Sequence, residues 1–148
     1  MNCKGCCNKD LQALIPNHIV DFDKLVEIVK EARDNFEIEG VTLSGGEPTL
    51  QKGLVDFNKA IHDLDLGIIM FSGRSKDALN PELVNSVDLL IDGPFIESEL
   101  DTDRVLLGSK NKNLTFITER YESEADYFNN PISIEEITAE DYIFINGD

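Results

Sequence analysis

Cysteine is absent from this sequence beyond residue 7, and that absence limits what its three cysteines can do. Cys3 and Cys6 form a C-x-x-C pair, in which Gly5 permits the turn that brings two sulfurs to the same side. A four-thiolate zinc site needs a second pair, which this sequence lacks. A thioredoxin-like redox pair needs a strand before it, and none precedes Cys3. A cluster-binding loop without its upstream partner and a chance clustering of cysteines both stay open.

Positive charge and long apolar runs are also scarce. The sequence has 13 lysines and arginines against 29 aspartates and glutamates, a formal net charge of −16. Such a chain repels a polyanion, so we expect no direct binding of nucleic acid. No run has the length of a membrane helix and no hydrophobic leader opens the sequence, so we expect a cytoplasmic protein without membrane contact. Cysteines stay reduced in that compartment, which favours metal ligands over disulfides.

The 148 residues do contain an alternation of helical and strand patterns. Apolar residues at helical spacing predict helices at about 22–36, 50–64 and 77–84. Short apolar runs predict strands at about 41–43, 68–71, 87–91, 114–118 and 142–145. Strands that alternate with helices indicate an α/β fold with a parallel sheet. The polar stretches 97–104 and 122–130 are expected to be irregular.

Three of the predicted strands end in small and polar residues. These ends are Ser44-Gly45-Gly46-Glu47, Ser72-Gly73 and Asp92-Gly93-Pro94. In parallel α/β folds the carboxyl ends of the strands carry the ligand site, and glycines there let a ligand approach the backbone. A carboxylate such as Glu47 suits an ammonium group. Each loop alone is typical of a turn before a helix, but their repetition on successive strands predicts a binding site.

These motifs resemble those of a known family. Gly45-Gly46-Glu47-Pro48 resembles the GGEP motif of radical S-adenosylmethionine enzymes. Cys3-Lys4-Gly5-Cys6-Cys7-Asn8 resembles the second half of their C-x3-C-x2-C cluster loop, in the C-x-G-C-x-N form of the anaerobic ribonucleoside-triphosphate reductase-activating proteins. Asp92-Gly93-Pro94-Phe95-Ile96 is similar to that family's DGPF segment. Gly108-Ser109 with Asn111 and Lys112 is a weaker match to its G-S-x-N-Q-R stretch, and the resemblance covers residues 1–118.

The resemblance implies a fold and two cofactors. The fold would be an open, partial (β/α) barrel with a parallel sheet, in a single domain with a cluster loop at 1–8 and an acidic tail at 119–148. The cofactors would be a 4Fe–4S cluster, held by Cys3 and Cys6, and S-adenosyl-L-methionine, whose amino group the GGEP motif would hold. The residues implied to bind S-adenosylmethionine are Ser44, Gly45, Gly46, Glu47, Pro48, Ser72 and Asp92.

The resemblance also implies a reaction and partners. The partner would be a large glycyl-radical enzyme, the anaerobic ribonucleotide reductase, with an electron donor such as flavodoxin. A carbon radical would abstract hydrogen from a glycine of that partner. This step needs no acid or base, so no side chain is assigned as a catalytic residue.

One departure from the family pattern concerns the cysteines. The first cysteine of C-x3-C-x2-C would lie four positions before Cys3, so we expect that this sequence is N-terminally truncated and lacks the first strand. Cys7 is a poor substitute, because adjacent cysteines rarely direct both sulfurs to one cluster. Two alternatives stay open. One is a small-molecule radical enzyme resembling 7-carboxy-7-deazaguanine synthase, against which the DGPF segment and the short chain argue, and the other is a cluster-less binding relative.

Overall fold

The computed structural model describes Lys4, Leu11 and residues 19–129, together with the backbone of 135–139 and 142–146. Within these residues the α-helices are α1 (Phe22–Phe36), α2 (Leu54–Asp63) and α3 (Pro81–Val84). The strands are β1 (Gly40–Leu43), β2 (Gly67–Phe71), β3 (Leu89–Asp92), β4 (Asn113–Phe116), β5 (Glu135–Ala139) and β6 (Tyr142–Asn146). The 3-10 segments are Pro48–Leu50, Lys76–Ala78, Glu97–Glu99 and Glu119–Asn129.

The first four strands form one open sheet in chain order. β1 pairs with β2 and β2 with β3 in parallel, with Gly40 opposite Gly67 in the first pair. These pairs confirm the predicted α/β arrangement, because α2 and α3 supply the connections. β4 differs from the expected parallel sheet, since it pairs antiparallel with β3, with Leu89 opposite Phe116. Residues 93–112, all of them described, contain no α-helix to carry the chain back across the sheet, so it returns beside β3 in the opposite direction.

The C-terminal strands β5 and β6 pair with each other in an antiparallel hairpin. β6 agrees with the predicted strand at 142–145, whereas β5 was not predicted. Its sequence, Glu-Glu-Ile-Thr-Ala, begins with two carboxylates and has no apolar run. Pairing with the β-rich sequence of β6 therefore accounts for this strand better than its own propensity does.

Helix α1 has the predicted bounds. Asp21 caps it by accepting a hydrogen bond from the Asp23 N–H at 3.0 Å, and it ends where Glu37 takes a left-handed φ of 54°. Val26 and Val29 pack against the core, but no residue of α1 is fully buried. No helix in the part of the chain that the structure describes is long and apolar enough to cross a membrane.

Two predicted helices begin later than their apolar patterns suggest. α2 begins at Leu54, because the chain first makes the 3-10 turn Pro48–Leu50 and then passes through Gly53, whose φ is +75°. α3 is limited to four residues, with Asn80 as its N-cap and Pro81 in its first turn. A proline in the first helical turn loses no hydrogen bond, so Pro81 marks the beginning of the helix.

The sheet has two apolar faces because side chains alternate along its strands. On one face, Ile68 and Met70 of β2 and Leu90 of β3 are fully buried in a cluster with side chains of α2 and α3. On the other face, Leu89 and Ile91 of β3 are equally buried. Other side chains must therefore shield this second face from water.

The acidic segment Glu119–Asn129 provides much of this shielding, although its sequence was expected to be irregular. Phe128 is only 3% exposed and packs with Leu89, Ile91 and Leu107. Tyr121 packs against the same cluster, and burial raises the pKa of its phenol, with the nearby Asp88 carboxylate raising it further. Of its three aromatic residues, Phe128 and Tyr121 pack against the sheet, whereas Tyr127 is half exposed, so two aromatic side chains attach this acidic stretch to the sheet.

Candidate functional site

The loops that follow β1, β2 and β3 meet at the carboxyl edge of the sheet, since these strands are parallel. Glu47, after β1, contacts both predicted residues after β2. Its Oε1 accepts a hydrogen bond from Ser72 Oγ at 3.0 Å, and its Oε2 accepts one from the Gly73 N–H at 2.9 Å. Asp92 ends β3 at the same edge. The structure thus brings together residues that the sequence places up to 48 positions apart, from Ser44 to Asp92.

Glu47 has more protein partners than the sequence suggested. Its Oε1 also accepts from Thr49 Oγ1 at 2.7 Å and from the Thr49 N–H at 3.3 Å, which caps the turn Pro48–Leu50. The residue is 7% exposed. Four donors therefore hold this carboxylate, three of them on Oε1, and Oε2 keeps the greater capacity for another donor. Its first role is to join the β1 and β2 loops, and direct contact with a ligand ammonium stays a prediction.

A recess of about 140 Å³ lies between these loops. It is lined by Ser44, Gly45, Gly46, Pro48, Phe71, Ser72, Gly73, Phe95 and Lys112. Five of these were predicted site residues. Pockets that enclose a whole small molecule usually exceed about 300 Å³, so this recess suits one end of a larger ligand.

Asp92 carries an unpaired acceptor at this edge. The residue is 2% exposed, and its Oδ2 accepts a hydrogen bond from the Lys76 N–H at 2.8 Å. Its Oδ1 is buried and has no hydrogen-bond partner among the residues that the structure describes. A buried carboxylate oxygen without a donor costs free energy, so Asp92 is the group that gains most from a ligand donor.

Lys112 was noted in the weak G-S-x-N match but was not predicted as a site residue. Its ammonium donates to the Ser72 carbonyl oxygen at 3.2 Å and to the Gly93 carbonyl oxygen at 2.5 Å. It therefore joins the ends of β2 and β3 and brings a positive charge to the recess. A lysine between turn residues has no sequence pattern of its own, which explains why it was missed.

Asn111, beside Lys112, adds a second buried acceptor. Its Nδ2 donates to the Pro94 carbonyl oxygen at 2.8 Å, and its buried Oδ1 has no partner within the described part of the chain. Gly93 lies between Asp92 and Pro94 with a φ of +116°, and a methyl group there would lie 3.3 Å from the Asn111 carbonyl oxygen. Glycine is thus required by the DGPF turn for its backbone angle, and the close approach of Asn111 favours it as well.

The residues present fit the amino-acid end of S-adenosylmethionine. Lys112 lines the recess and can pair with a carboxylate, and the carboxylates of Glu47 and Asp92, buried behind the lining, bring negative charge to the same edge that favours an ammonium. Phe71 and Phe95 provide an apolar wall beside them. A ligand that carries an ammonium, a carboxylate and an apolar chain on one carbon therefore has a counterpart for each group.

The predicted cluster ligands Cys3 and Cys6 lie outside the described residues. Two of their neighbours are described, and both contact the carboxyl edge. Lys4 Nζ lies 3.5 Å from Glu97 Oε2, in the turn that follows the DGPF segment. Leu11 lies against Gly45 and Gly46.

A larger recess, of about 540 Å³, lies at the opposite edge of the sheet. Its two arginines already have partners: Arg33 donates to the Leu64 carbonyl oxygen at 3.2 Å, and Arg120 pairs with Asp65 at 2.6 Å. Glu39, Asp65 and Glu124 also line it, so acidic groups outnumber the arginines. We therefore assign the site to the carboxyl edge, which has the smaller recess and, close to it, buried acceptors of Asp92 and Asn111 without donors among the described residues.

Comparison with known proteins identifies the family of this chain. The model of a family described as "4Fe-4S single cluster domain" matches residues 1–115. The chain belongs to this family. The match includes the cysteines and all three strand-end loops of the 4Fe–4S single-cluster domain, and it ends before the acidic segment Glu119–Asn129.

Several curated proteins are similar to this chain. The anaerobic ribonucleoside-triphosphate reductase-activating protein of Haemophilus influenzae is 28% identical over 121 residues, which cover 74% of this chain and 77% of that protein. The proteins of the same name from Escherichia coli K12 and Vibrio cholerae are 27% and 26% identical, with the same coverage. The resemblance found in the motifs is thereby confirmed. No solved structure matches this chain.

Proposed function

We propose that this chain is the activating enzyme of an anaerobic ribonucleotide reductase and generates a glycyl radical on that large partner. The similar curated proteins carry this activity in their names, and the 4Fe–4S single-cluster domain provides the matching cofactor. When bound, the cluster and S-adenosylmethionine supply the one-electron cleavage that yields a carbon radical able to take a hydrogen atom from glycine.

The observation that carries the proposal is the meeting of three strand-end loops at one edge, with a buried acceptor left unpaired among them. Glu47 joins the first loop to the second, and Lys112 joins the second to the third. The carboxyl edge is therefore a connected unit, and Asp92 Oδ1, buried behind the recess, is an acceptor there without a donor among the described residues. An edge held together in this way is suited to orient one end of a charged cofactor.

The chain's own residues would bind and orient the cofactor. Asp92 Oδ1 and Glu47 Oε2 would accept from its ammonium group, and the Lys112 ammonium would attract its carboxylate. Ser44, Gly45, Gly46 and Pro48 would form the wall beside the methionyl end, with Ser72 between the two acidic residues. Cys3 and Cys6 would hold the cluster, as the C-x-x-C spacing suggests.

The open sheet supports a large partner. The four strands of the sheet that the structure describes are too few to close a barrel, which would leave the carboxyl edge accessible to a loop of another protein. We propose that the sheet is part of a partial (β/α) barrel and that the domain works in the cytoplasm with a small electron donor such as flavodoxin. A small-molecule radical enzyme would instead enclose its substrate to protect the radical.

The test is an anaerobic reconstitution with iron and sulfide, with the chain extended so that a cysteine lies four positions before Cys3. Iron should reach about four per chain, as the cluster type requires. Mixed with reductant, S-adenosylmethionine and the ribonucleotide reductase of the same genome, the protein should produce the doublet of a glycyl radical in electron paramagnetic resonance spectra.

The controls are single alanine substitutions. Cys3→Ala and Cys6→Ala should abolish the radical, whereas the neighbouring Cys7→Ala should retain most of it. Cofactor cleavage that needs a small metabolite and leaves no radical on the partner would refute the proposal and favour a small-molecule enzyme. A full cluster without the added cysteine that is lost in Cys7→Ala would instead overturn the ligand assignment.

A further inference from the structure

Gly46, the second glycine of the GGEP motif, has an unusual neighbour. A methyl group built on it would lie 2.2 Å from the carbonyl oxygen of Leu11 and 3.2 Å from its carbonyl carbon. The third nearest atom, at 3.8 Å, is the Leu11 Cβ. Atoms cannot approach that closely, and the obstacle is backbone, which cannot rotate away as a side chain would. The Leu11 backbone thus occupies the space where any larger residue at position 46 would place its Cβ.

A left-handed backbone is not what requires glycine at this position. Gly45, Gly53, Gly93 and Gly108 have positive φ angles, and Gly46 does not. Among the described residues, the obstacle to a side chain at position 46 is the backbone of Leu11.

Leu11 belongs to the segment that carries the cysteines. Cys6 lies five residues before it, and five residues span at most about 18 Å. Lys4, bonded directly to Cys3, makes a second contact at the same edge through Glu97. That ion pair is exposed, with 92% of the lysine side chain accessible, so it contributes little. Of these two contacts, the one between Leu11 and Gly46 is the stronger, because backbone packs against backbone in it and the Lys4–Glu97 pair joins only side chains.

We propose that Gly46 is a positioning residue for the cysteine segment. Because Gly46 has no side chain, the Leu11 backbone can pack directly against its Cα. Through this contact the loop that lines the cofactor recess also sets where the cysteines can reach. The role of the cysteines as cluster ligands rests on the proposed function, but the contact between Leu11 and Gly46 does not. Gly46 then serves two neighbours, the cofactor recess on one side and the cysteine segment on the other.

The test compares Gly46→Ala with the adjacent Gly45→Ala as a matched control. Among the described residues, a methyl group on Gly45 would meet only Leu11 Cδ1, at an ordinary 3.7 Å. Because Gly45 has a φ of +116°, this variant adds backbone strain but does not block the contact between Leu11 and Gly46. Tryptic cleavage after Lys9 reports on the attachment of Leu11, and cleavage after Lys30 within α1 is the internal reference. In Gly46→Ala, cleavage after Lys9 should be about five- to thirtyfold faster, as expected when a contact of one or two kcal/mol is lost.

Global stability separates positioning from a general structural defect. The free energy of unfolding of Gly46→Ala should fall by no more than the one or two kcal/mol of the lost contact, and cleavage after Lys9 should increase more than cleavage after Lys30, while Gly45→Ala should leave cleavage after Lys9 nearly unchanged. After anaerobic reconstitution, iron per chain relative to the native protein should fall further in Gly46→Ala than in Gly45→Ala. Equal cleavage after Lys9 in both variants, or equal iron, would overturn the proposal.

A measurement on the native protein covers the case in which Gly46→Ala does not fold. Nuclear Overhauser contacts between the Gly46 Hα protons and the Leu11 Hβ protons should be strong in the apoprotein. Their absence would show that Leu11 does not pack against Gly46 and would overturn the proposal. If these contacts are present but no glycyl radical forms on the partner, the proposed function is refuted and the contact between Leu11 and Gly46 is still supported.

Discussion

The two ends of strand β3 carry two buried aspartates in contrasting circumstances. Asp88, just before β3, is 3% exposed, and Asp92, its last residue, is 2% exposed. Asp88 uses both oxygens: Oδ2 accepts from the Ile68 N–H at 2.8 Å, and Oδ1 accepts from Thr118 Oγ1 at 2.5 Å. Asp92 uses only Oδ2. The two carboxylates are thus equally buried, but among the described residues Asp88 has a donor on each oxygen and Asp92 has a donor on one oxygen alone.

The glycines at the two edges differ in part. At the amino edge, the space left by Gly40 and Gly67 is taken by the Tyr121 hydroxyl, which a methyl group would meet at 2.6 and 2.1 Å. At the carboxyl edge, the Leu11 backbone fills the space beside Gly46, but a methyl group on Gly45 would meet only Leu11 Cδ1 among the described residues, and the recess lies beside it.

Neither a recess nor an acceptor without a donor is by itself peculiar to the carboxyl edge. The amino edge has a recess of its own, and Asn58 Oδ1 in α2 is also buried without a donor among the described residues. The carboxyl edge differs because it combines a carboxylate oxygen without a donor with a recess close to it.

The largest expected effect comes from the same substitution at both aspartates. Asp88→Asn replaces a carboxylate that accepts from two strands, so we expect a loss of about 1–3 kcal/mol in the free energy of unfolding. Asp92→Asn removes a charge with one unpaired oxygen, so its loss should be under about 1 kcal/mol. Urea denaturation of both variants measures the difference. A greater loss in Asp92→Asn than in Asp88→Asn would break the comparison between the two ends.

A smaller effect is expected at Glu47, whose carboxylate belongs to the carboxyl edge but is well satisfied. In Glu47→Gln one amide N–H₂ must face a backbone or hydroxyl donor, which should cost about 1–2 kcal/mol of stability. The resulting shift of the β1 and β2 loops should weaken S-adenosylmethionine binding about tenfold, or 1.4 kcal/mol. Thr49→Val, which removes one donor to Glu47 and no recess residue, is the control and should bind normally. Iron content should be unchanged in both, and unaltered affinity in Glu47→Gln would remove Glu47 from the site.

The smallest effect concerns a further buried carboxylate, that of Asp101. Burial acts to raise its pKa, but hydrogen bonds from the Arg104 side chain and from the Asp103 and Arg104 N–H groups together hold the pKa below the ordinary 3.8. A lowered folded-state pKa means that its stabilisation is complete above about pH 4 and is lost as the pH falls through the folded value. Asp101→Asn should therefore lose less stability than the native protein on acidification below about pH 4. Equal acid sensitivity of the two proteins in urea titrations would contradict this.

Much of the fold was predictable because local patterns and tertiary contacts agree. α1 and β2 have the predicted bounds, since apolar residues recur at helical spacing in the first and form a continuous run from Gly67 in the second. The direction of β4 was not predictable, because it depends on the absence of a crossover helix after β3. The packing of the segment Glu119–Asn129 was missed because it depends on two aromatic residues among carboxylates.

The site was predictable where glycines and carboxylates follow strands. The spacing of Ser44–Glu47, Ser72 and Asp92 predicted one edge, and the structure places them there. The sequence could not show that Glu47 is held by four protein donors while Asp92 keeps an oxygen free, because hydrogen-bond partners depend on side-chain geometry across three loops. Lys112 was missed as a site residue for the same reason.

The most direct test of the account asks which edge of the sheet binds S-adenosylmethionine. Titration of the isotope-labelled protein, followed by backbone amide chemical shifts, distinguishes the edges without requiring activity. The account predicts that the amide signals of Gly45, Gly46, Ser72 and Gly73 shift with ligand concentration, that Asp92→Asn weakens the response and that the signals of Gly40 and Gly67 stay in place. Shifts confined to the recess around Arg33 and Tyr121, or the same titration in native and Asp92→Asn protein, would contradict it.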